Sequence, residues 1–531
     1  MCAVRLLPLV LTFAVWAGAS ACGGDGGSAV DAGNIAADAG ADAMPPGPYD
    51  SPEDFDRARC TTPPALDGVD LTGVWHMDMS LPGYGKFAGV FRLFDDETPY
   101  RARLFGEPQD RVKVTASDVF MRRAWTSAEG YARVYALDLC RINADGSVSG
   151  QFVTCRDADC TEGPIDAYRV DGVTEPTSSN MTLIAEYAGG AAPWPTDSAI
   201  TANVRVKDNR AYLVRFGDGL RIVDVSTPAA PADLGHSPVA VAGTEIYNDV
   251  KLVEDQSGTT FALVASNVRG AVAIDVSNPA SPVEVSTFPQ PPLGETRVNV
   301  HTIFVEGTRA YLANTGAGGI EIWDITDPRS PQKLGQYIAP GAALAGGFVH
   351  DLFVENDIAY LNYWGLGMVI LDTSDPANPS VLGTFDSYDR RKSHSNWVTT
   401  AGGRTISVHG DEDFDAHVRI VDVDPNSVAF VNEIGSFQTR KQVSVHNIMA
   451  VGERAFVTYY QDGFRVLDLS DPTQPTEIAH YRTWPGSSGL APGYGDNFFE
   501  GAIGVEYDAV SGLIYVADTH RGLFILRLDV P

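Results

Sequence analysis

The stretch Val300–Tyr337, VHTIFVEGTRAYLANTGAGGIEIWDITDPRSPQKLGQY, holds three short apolar runs, an Asp-Pro and Ser-Pro turn, and a fourth short run. A chain that repeats this sentence is committed to a row of similar meanders. The turn Asp recurs as Asp224, Asp275, Asp324, Asp372, Asp422 and Asp468, at spacings of 51, 49, 48, 50 and 46 residues. A further copy, 59 residues on, has Arg527 in that place. Seven copies of four strands at this period predict an all-β fold, a seven-bladed β-propeller, and argue against a helical solenoid. The turn has a mechanism: a short Asp, Ser or Thr side chain bonds backbone N–H groups two residues on, and Pro presets the bend. Pro cannot continue a central strand, so the outer strand starts after it.

The last copy runs out after its third strand. Upstream of the first copy, Asn180–Tyr187 (NMTLIAEY) reads like the fourth strands elsewhere. The propeller is therefore expected over residues 179–531, with 180–187 closing blade seven and removing an exposed edge.

The Ile-Val-Asp cores, Arg221–Val225 and Arg419–Val423, together with the recurring turns, resemble the LVIVD-repeat family of bacterial surface propellers. The resemblance implies the fold over about residues 179–531. It implies no activity, because that family has no general biochemical role to carry over.

Residues 1–22 resemble a bacterial lipoprotein signal. Arg5 supplies the positive start, Leu6–Trp16 the apolar stretch, and Ala19-Ser20-Ala21-Cys22 the cleavage end, with Ala19 where Leu is usual. Cys22 is the expected lipidation site, and the lipid the expected membrane contact. Residues 23–49, rich in Gly, Ala and Asp, read as a disordered tether. The expectation is an exported protein, lipid-anchored to the bacterial cell membrane or outer membrane.

Four cysteines remain in one segment: Cys60, Cys140, Cys155 and Cys160. An even count in an exported domain predicts two disulfides. Reading Asp145-Gly146 as a two-residue hairpin sets Cys140 opposite Gln151, which favours Cys60–Cys140 and Cys155–Cys160. A Cys₄ zinc site lacks the usual CxxC pair. Residues 50–178 read as a small β domain, with strands at 73–79, 87–94, 101–105, 132–139 and 147–154. Leu71–Trp75 looks like the opening strand of lipocalin-like barrels; a sandwich fits equally well.

The chain carries 38 Lys and Arg against 68 Asp and Glu, a net charge of −30. Such a surface repels nucleic acid and anionic headgroups.

The first strand of each blade lines the channel, so equivalent positions there form a ring. Counting back nine residues from the Ala before the second strand gives Ala202, His301, His350 and His446; by pattern Asn248, His394 and Glu500 complete it. Imidazole with carboxylate suits zinc or another transition metal. Repeat duplication of a His that only hydrogen-bonds a neighbouring blade explains the same pattern. In blade five the loop His409–His417 (HGDEDFDAH) places Asp411, Asp413 and Asp415 at alternate positions, resembling a calcium loop without the EF-hand spacing. Long connections on the same face carry Tyr388, Trp484, Tyr494, Phe498 and Phe499, with Tyr363-Trp364 and Tyr459-Tyr460 in nearby hairpins; these rings could stack on a sugar or a protein partner. There is no P-loop, nucleophile elbow, dinucleotide fingerprint or HExxH. Two functional readings follow: a binding module for a protein or glycan outside the membrane, or a metal-dependent hydrolase or lyase at the channel mouth.

Overall fold

The computed structural model describes residues 48–530 apart from 61–65, 67, 95–100, 128–129, 172, 190–199, 242–243, 343–345, 390 and 487–496. The signal at 1–22, Cys22 and all but the last two residues of the tether lie outside the described residues. The chain divides into two compact units. One comprises the described residues to Thr174 with Pro485–Phe498; the other is Glu175–Trp484 with Phe499 onward.

The N-terminal unit is one antiparallel sheet of nine strands. Its order in space is Glu107–Pro108, Arg101–Leu104, Gly85–Phe94, Gly73–Leu81, Asp159–Arg169, Val148–Arg156, Ala132–Ile142, Val119–Thr126 and Arg111–Val114. The sheet curls on itself as a half-barrel. Phe105, beside the second of these strands, meets Tyr135 of the seventh at 5.6 Å and Phe152 of the sixth at 5.9 Å. Trp75, Met77, Phe91, Leu137 and Phe152 fill the concave side. The two end strands do not pair with each other, so this is neither a closed barrel nor a sandwich. Val119–Thr126 and Asp159–Arg169 add two long strands to those read from the sequence. The first is masked by Arg122-Arg123 and the second by Gly163-Pro164. Pro164 is tolerated because pairing with Gly73–Leu81 begins only at Ile165.

The cysteines form Cys60–Cys140 and Cys155–Cys160. The hairpin register that favoured this pairing differs by two residues: Asp138, not Cys140, faces Gln151. The loop is longer than two residues, with Asn143 N–H donating to the Ser147 carbonyl at 2.8 Å, and Cys140 sits at a bulge between Leu139 and Arg141. Cys155 and Cys160 are directly opposed across the next hairpin.

The second unit is a seven-bladed propeller of four-stranded meanders. Blades one to six begin at Thr201, Tyr247, Val300, Val349, Ser393 and, after an irregular start, Ile448. Blade seven takes Ala502–Asp508, Leu513–Asp518 and Gly522–Leu528 from the C-terminal end, and its outer strand is Met181–Tyr187. Arg521 pairs Glu186 at 2.5 Å along that seam. Blade six gains a short fifth strand, Ser178–Ser179.

The turn mechanism holds in six blades. Asp224, Asp275, Asp324, Asp372, Asp422 and Asp468 each accept a bond from the backbone N–H two residues on, at 2.8–3.2 Å. The blades pack through strand faces: Tyr311, Ile320 and Ile322 of blade three interlock with Leu352, Leu361 and Leu371 of blade four. Each such side chain, fully buried, is worth roughly 1.5–3 kcal/mol.

Candidate functional site at the channel mouth

Every first strand that enters the channel is kinked at its start. The register skips one residue between Thr201 and Asn203, Tyr247 and Asp249, Val300 and Thr302, Val349 and Asp351, Ser393 and Ser395, and Ala502 and Gly504. A bulge leaves one residue out of the ladder and re-aims its side chain. The skipped residues are Ala202, Asn248, His301, His350, His394 and Ile503. In blade six His446 donates its N–H to Thr458 while Thr458 donates to Asn447, which gives His446 the same place. These seven residues line one channel pocket.

Blade seven corrects the sequence reading. Its first hairpin closes between Asp508 and Leu513, two residues longer than the tight hairpins of blades one, three, four and six, so the count arrives at Ile503. Glu500 lies outside the ring. It is 3 % exposed, with its carboxylate 3.4 Å from His520 Nε2.

The four His rings form a row with centroids 4.0, 4.2 and 4.3 Å apart, from His301 through His350 and His394 to His446. Their hydrogen bonding divides them. His301 Nδ1 donates to the His350 carbonyl at 3.1 Å, and its Nε2 accepts from Asn248 at 3.0 Å. His446 Nδ1 donates to the Ile503 carbonyl at 2.6 Å, which leaves the Nε2 lone pair facing the channel. His350 Nδ1 and both ring nitrogens of His394 have no hydrogen-bond partner, though the residues are 3 % and 1 % exposed. Trp364 walls this region, 5.1 Å from the His350 ring. Burial pushes all four imidazoles down: His301 to about 4, His446 to about 3, and His350 and His394 well below the ordinary value. The row is neutral at pH 7.

The sequence reading missed the carboxylate that completes the site. Glu412, 3 % exposed, sits with one oxygen 3.6 Å from His394 Nε2 and the other 3.8 Å from His446 Nε2. Tyr460 donates its hydroxyl hydrogen to it. Burial pushes this carboxyl up to about 8. The signal was present in HGDEDFDAH. The strand Arg404–Asp411 ends one residue before it, and Glu412 turns to His394 and His446 while Asp411 is held by Arg419.

The three aspartates do not converge. Asp411 is held by Arg419 at 3.1 Å, Asp413 accepts from the Phe414 N–H at 2.7 Å, and Asp415 is exposed and bonded to Gln438 at 3.1 Å. The calcium-loop expectation fails because consecutive alternate positions here meet different neighbours. Most loop aromatics turn inward: Tyr363, Trp364, Tyr459, Tyr460, Trp484, Phe498 and Phe499 are buried, Tyr388 is half-buried, and Tyr494 lies outside the described residues.

Behind the His row the channel is charged. Asp249 accepts from Asn203 at 2.9 Å, Lys251 at 2.6 Å and the Ile303 N–H at 3.0 Å, tying blades one, two and three together. Arg205 bonds the Val505 carbonyl at 3.3 Å and joins blade one to blade seven.

The fold and site thus define a seven-bladed propeller with a His-lined mouth. The LVIVD repeat family model matches residues 199–236, 257–289, 346–387 and 444–483, within blades one, two, four and six. The chain is a β-propeller that carries LVIVD repeats in these four blades. No curated protein matches the sequence. Among solved structures, it is similar to the WD40 β-propeller domain of Doa1 at 10 % identity and a TM-score of 0.45, covering 65 % of this chain and 96 % of that one. It is similar to the computationally designed Ika8 protein at 9 % identity and 0.42, covering 78 % and 94 %. BamB from Moraxella catarrhalis follows at 10 % and 0.39, covering 63 % and 84 %. Likeness at this level carries no functional argument.

Proposed function

We propose that this protein is a protein-binding module of the cell envelope, exported and held at the membrane by a lipid on Cys22, whose partner docks on the channel-mouth face. The observation that carries the reading is the pattern of exposed apolar side chains. In a four-stranded meander the connector between blades lies at the same end as the start of the first strand. Three successive connectors, from blade one to blade four, each present one exposed large apolar side chain: Val241 at 39 %, Leu293 at 107 % and Ile338 at 46 %. Loops on a rigid scaffold are where recognition concentrates, and apolar anchors dominate interface energetics. A protein fits this face better than a glycan, because among the described residues all but Tyr388 of the rings that would stack on sugars are buried. The net charge of −30 favours a partner with a basic rim. The two disulfides support export, since such bonds persist in oxidising compartments.

The test is crosslinking in intact cells followed by mass spectrometry, comparing the wild-type full chain with V241E/L293E/I338E. The reading expects a defined crosslinked protein whose yield falls more than about tenfold in the triple variant. An unchanged set of crosslinks at unchanged yield would overturn it.

A further inference from the structure

We propose that His350, His394 and Glu412 bind a divalent transition-metal ion of the zinc class at the channel mouth, with His446 as fourth ligand. One ligand atom from each of the first three lies within 4.8 Å of the others, and all three residues are buried. The site shares no residue with the docking set Val241, Leu293 and Ile338, and its argument does not use them.

Three observations converge on it. The distances come first. For metal–ligand bonds of about 2.0–2.1 Å, two ligands of a tetrahedral ion sit about 3.3–3.4 Å apart. The His394–Glu412 and His446–Glu412 separations of 3.6 and 3.8 Å exceed that edge by a few tenths of an ångström. Side-chain rotation closes such a gap without moving a strand.

The second is the unmet bonding. A buried imidazole nitrogen without a partner is costly, and proteins rarely leave one. His394 has two and His350 has one. Each neutral ring carries one lone pair, and a cation takes it where no hydrogen bond does. His301, in the same row, is fully used by Asn248 and the His350 carbonyl, so the row is not uniform.

The third is orientation. His446 is fixed by its Nδ1–H bond to the Ile503 carbonyl, the outer-sphere arrangement that metal-binding His residues use. Tyr460 does the same for Glu412. Imidazole with carboxylate selects zinc, copper, nickel or iron over calcium or magnesium, which prefer oxygen alone. Among the described residues, the other cluster with suitable donors is Glu175, Glu477 and His480. There Arg465 lies 2.8 Å from Glu175 and 3.0 Å from Glu477, so the cation is already supplied. Cys60, Cys140 and Asp138 also cluster, but those cysteines are joined in a disulfide.

The experiment uses the full chain without an affinity tag. It is stripped with chelator, dialysed, and titrated with Zn²⁺ and separately with Ca²⁺ by calorimetry, with stoichiometry from elemental analysis. One equivalent of Zn²⁺ and no Ca²⁺ is expected. H394A and E412Q should each weaken Zn²⁺ more than about tenfold, while H480A leaves it unchanged. If H394A does not fold, E412Q decides, since it keeps size and hydrogen bonding. No Zn²⁺ binding by the wild type, or undiminished binding by folded E412Q and H394A, would overturn the assignment. Loss on H480A instead would place the ion at the other cluster and equally overturn it.

Discussion

Ser286, in the outer strand of blade two, donates its hydroxyl to the Pro328 carbonyl in the turn of blade three at 2.6 Å. Blades one, three, four and five carry glycine in that position; in one, three and five the backbone of the next blade's turn presses directly against it, and in four the Phe430 and Val431 side chains do. An ideal Cβ on Gly235, Gly335 or Gly435 would lie 1.8, 1.7 or 2.4 Å from the carbonyl of Pro279, Pro376 or Pro472. The repeat's DxxxP turn therefore also docks one blade onto the last.

Gly335→Ala should cost about 1–3 kcal/mol, because the contact is backbone and blade four must shift to relieve it. Ser286→Ala should cost less, roughly 0.5–1.5 kcal/mol, for one lost hydrogen bond. Denaturant unfolding of the full chain checks the order; a neutral Gly335→Ala would mean that the blades do not close on this contact.

Asp249 is 1 % exposed and neutralises Lys251 inside the channel. Asp249→Ala strands the ammonium and should cost about 3–5 kcal/mol. D249A/K251M should recover much of that loss. Thermal melts of the single and double variants measure the difference.

The two disulfides should differ in worth. Cys60–Cys140 spans 80 residues and Cys155–Cys160 spans 5. Loop-closure entropy then gives about 4.5 kcal/mol for the first and about 2 kcal/mol for the second. Paired Cys→Ala variants, compared by denaturant midpoint, should rank in that order.

Asp138 supplies a pH signature in the N-terminal unit. Burial pushes its carboxyl up to about 7, offset in part by Arg57 at 3.4 Å. In the unfolded chain it titrates near 4. Between about pH 4 and 7 the unfolded state releases a proton that the folded state keeps, so this residue's contribution to stability falls as pH rises and levels off above about 7. The melting temperature of D138N relative to wild type should therefore climb across that window in calorimetric scans. A constant difference would refute the assignment.

The blades and their closing strand are legible in the sequence because the turn chemistry repeats six times and the hydrophobic period seven. The His row is legible for the same reason. Glu412 was not, since its neighbours Asp411 and Asp413 form the more eye-catching pattern and it lies just past the end of the strand Arg404–Asp411, where no side-chain period says which way it points. Glu500 was misplaced because it was assigned by local pattern: the Asp508–Leu513 hairpin is two residues longer than its counterparts, so no simple count fixed the ring position at Ile503. The N-terminal sheet was half legible: Arg122 and Arg123 disguise one strand and Pro164 another, and curling is a property of the whole sheet that no single strand encodes.

The metal site is tested most directly by X-ray absorption on the zinc-loaded full chain. The account predicts a first shell of nitrogen and oxygen at about 2.0–2.1 Å, with imidazole scattering from at least two His residues that falls by one His in H350A. A shell of oxygen alone, of sulfur, or one unchanged in H350A would contradict it.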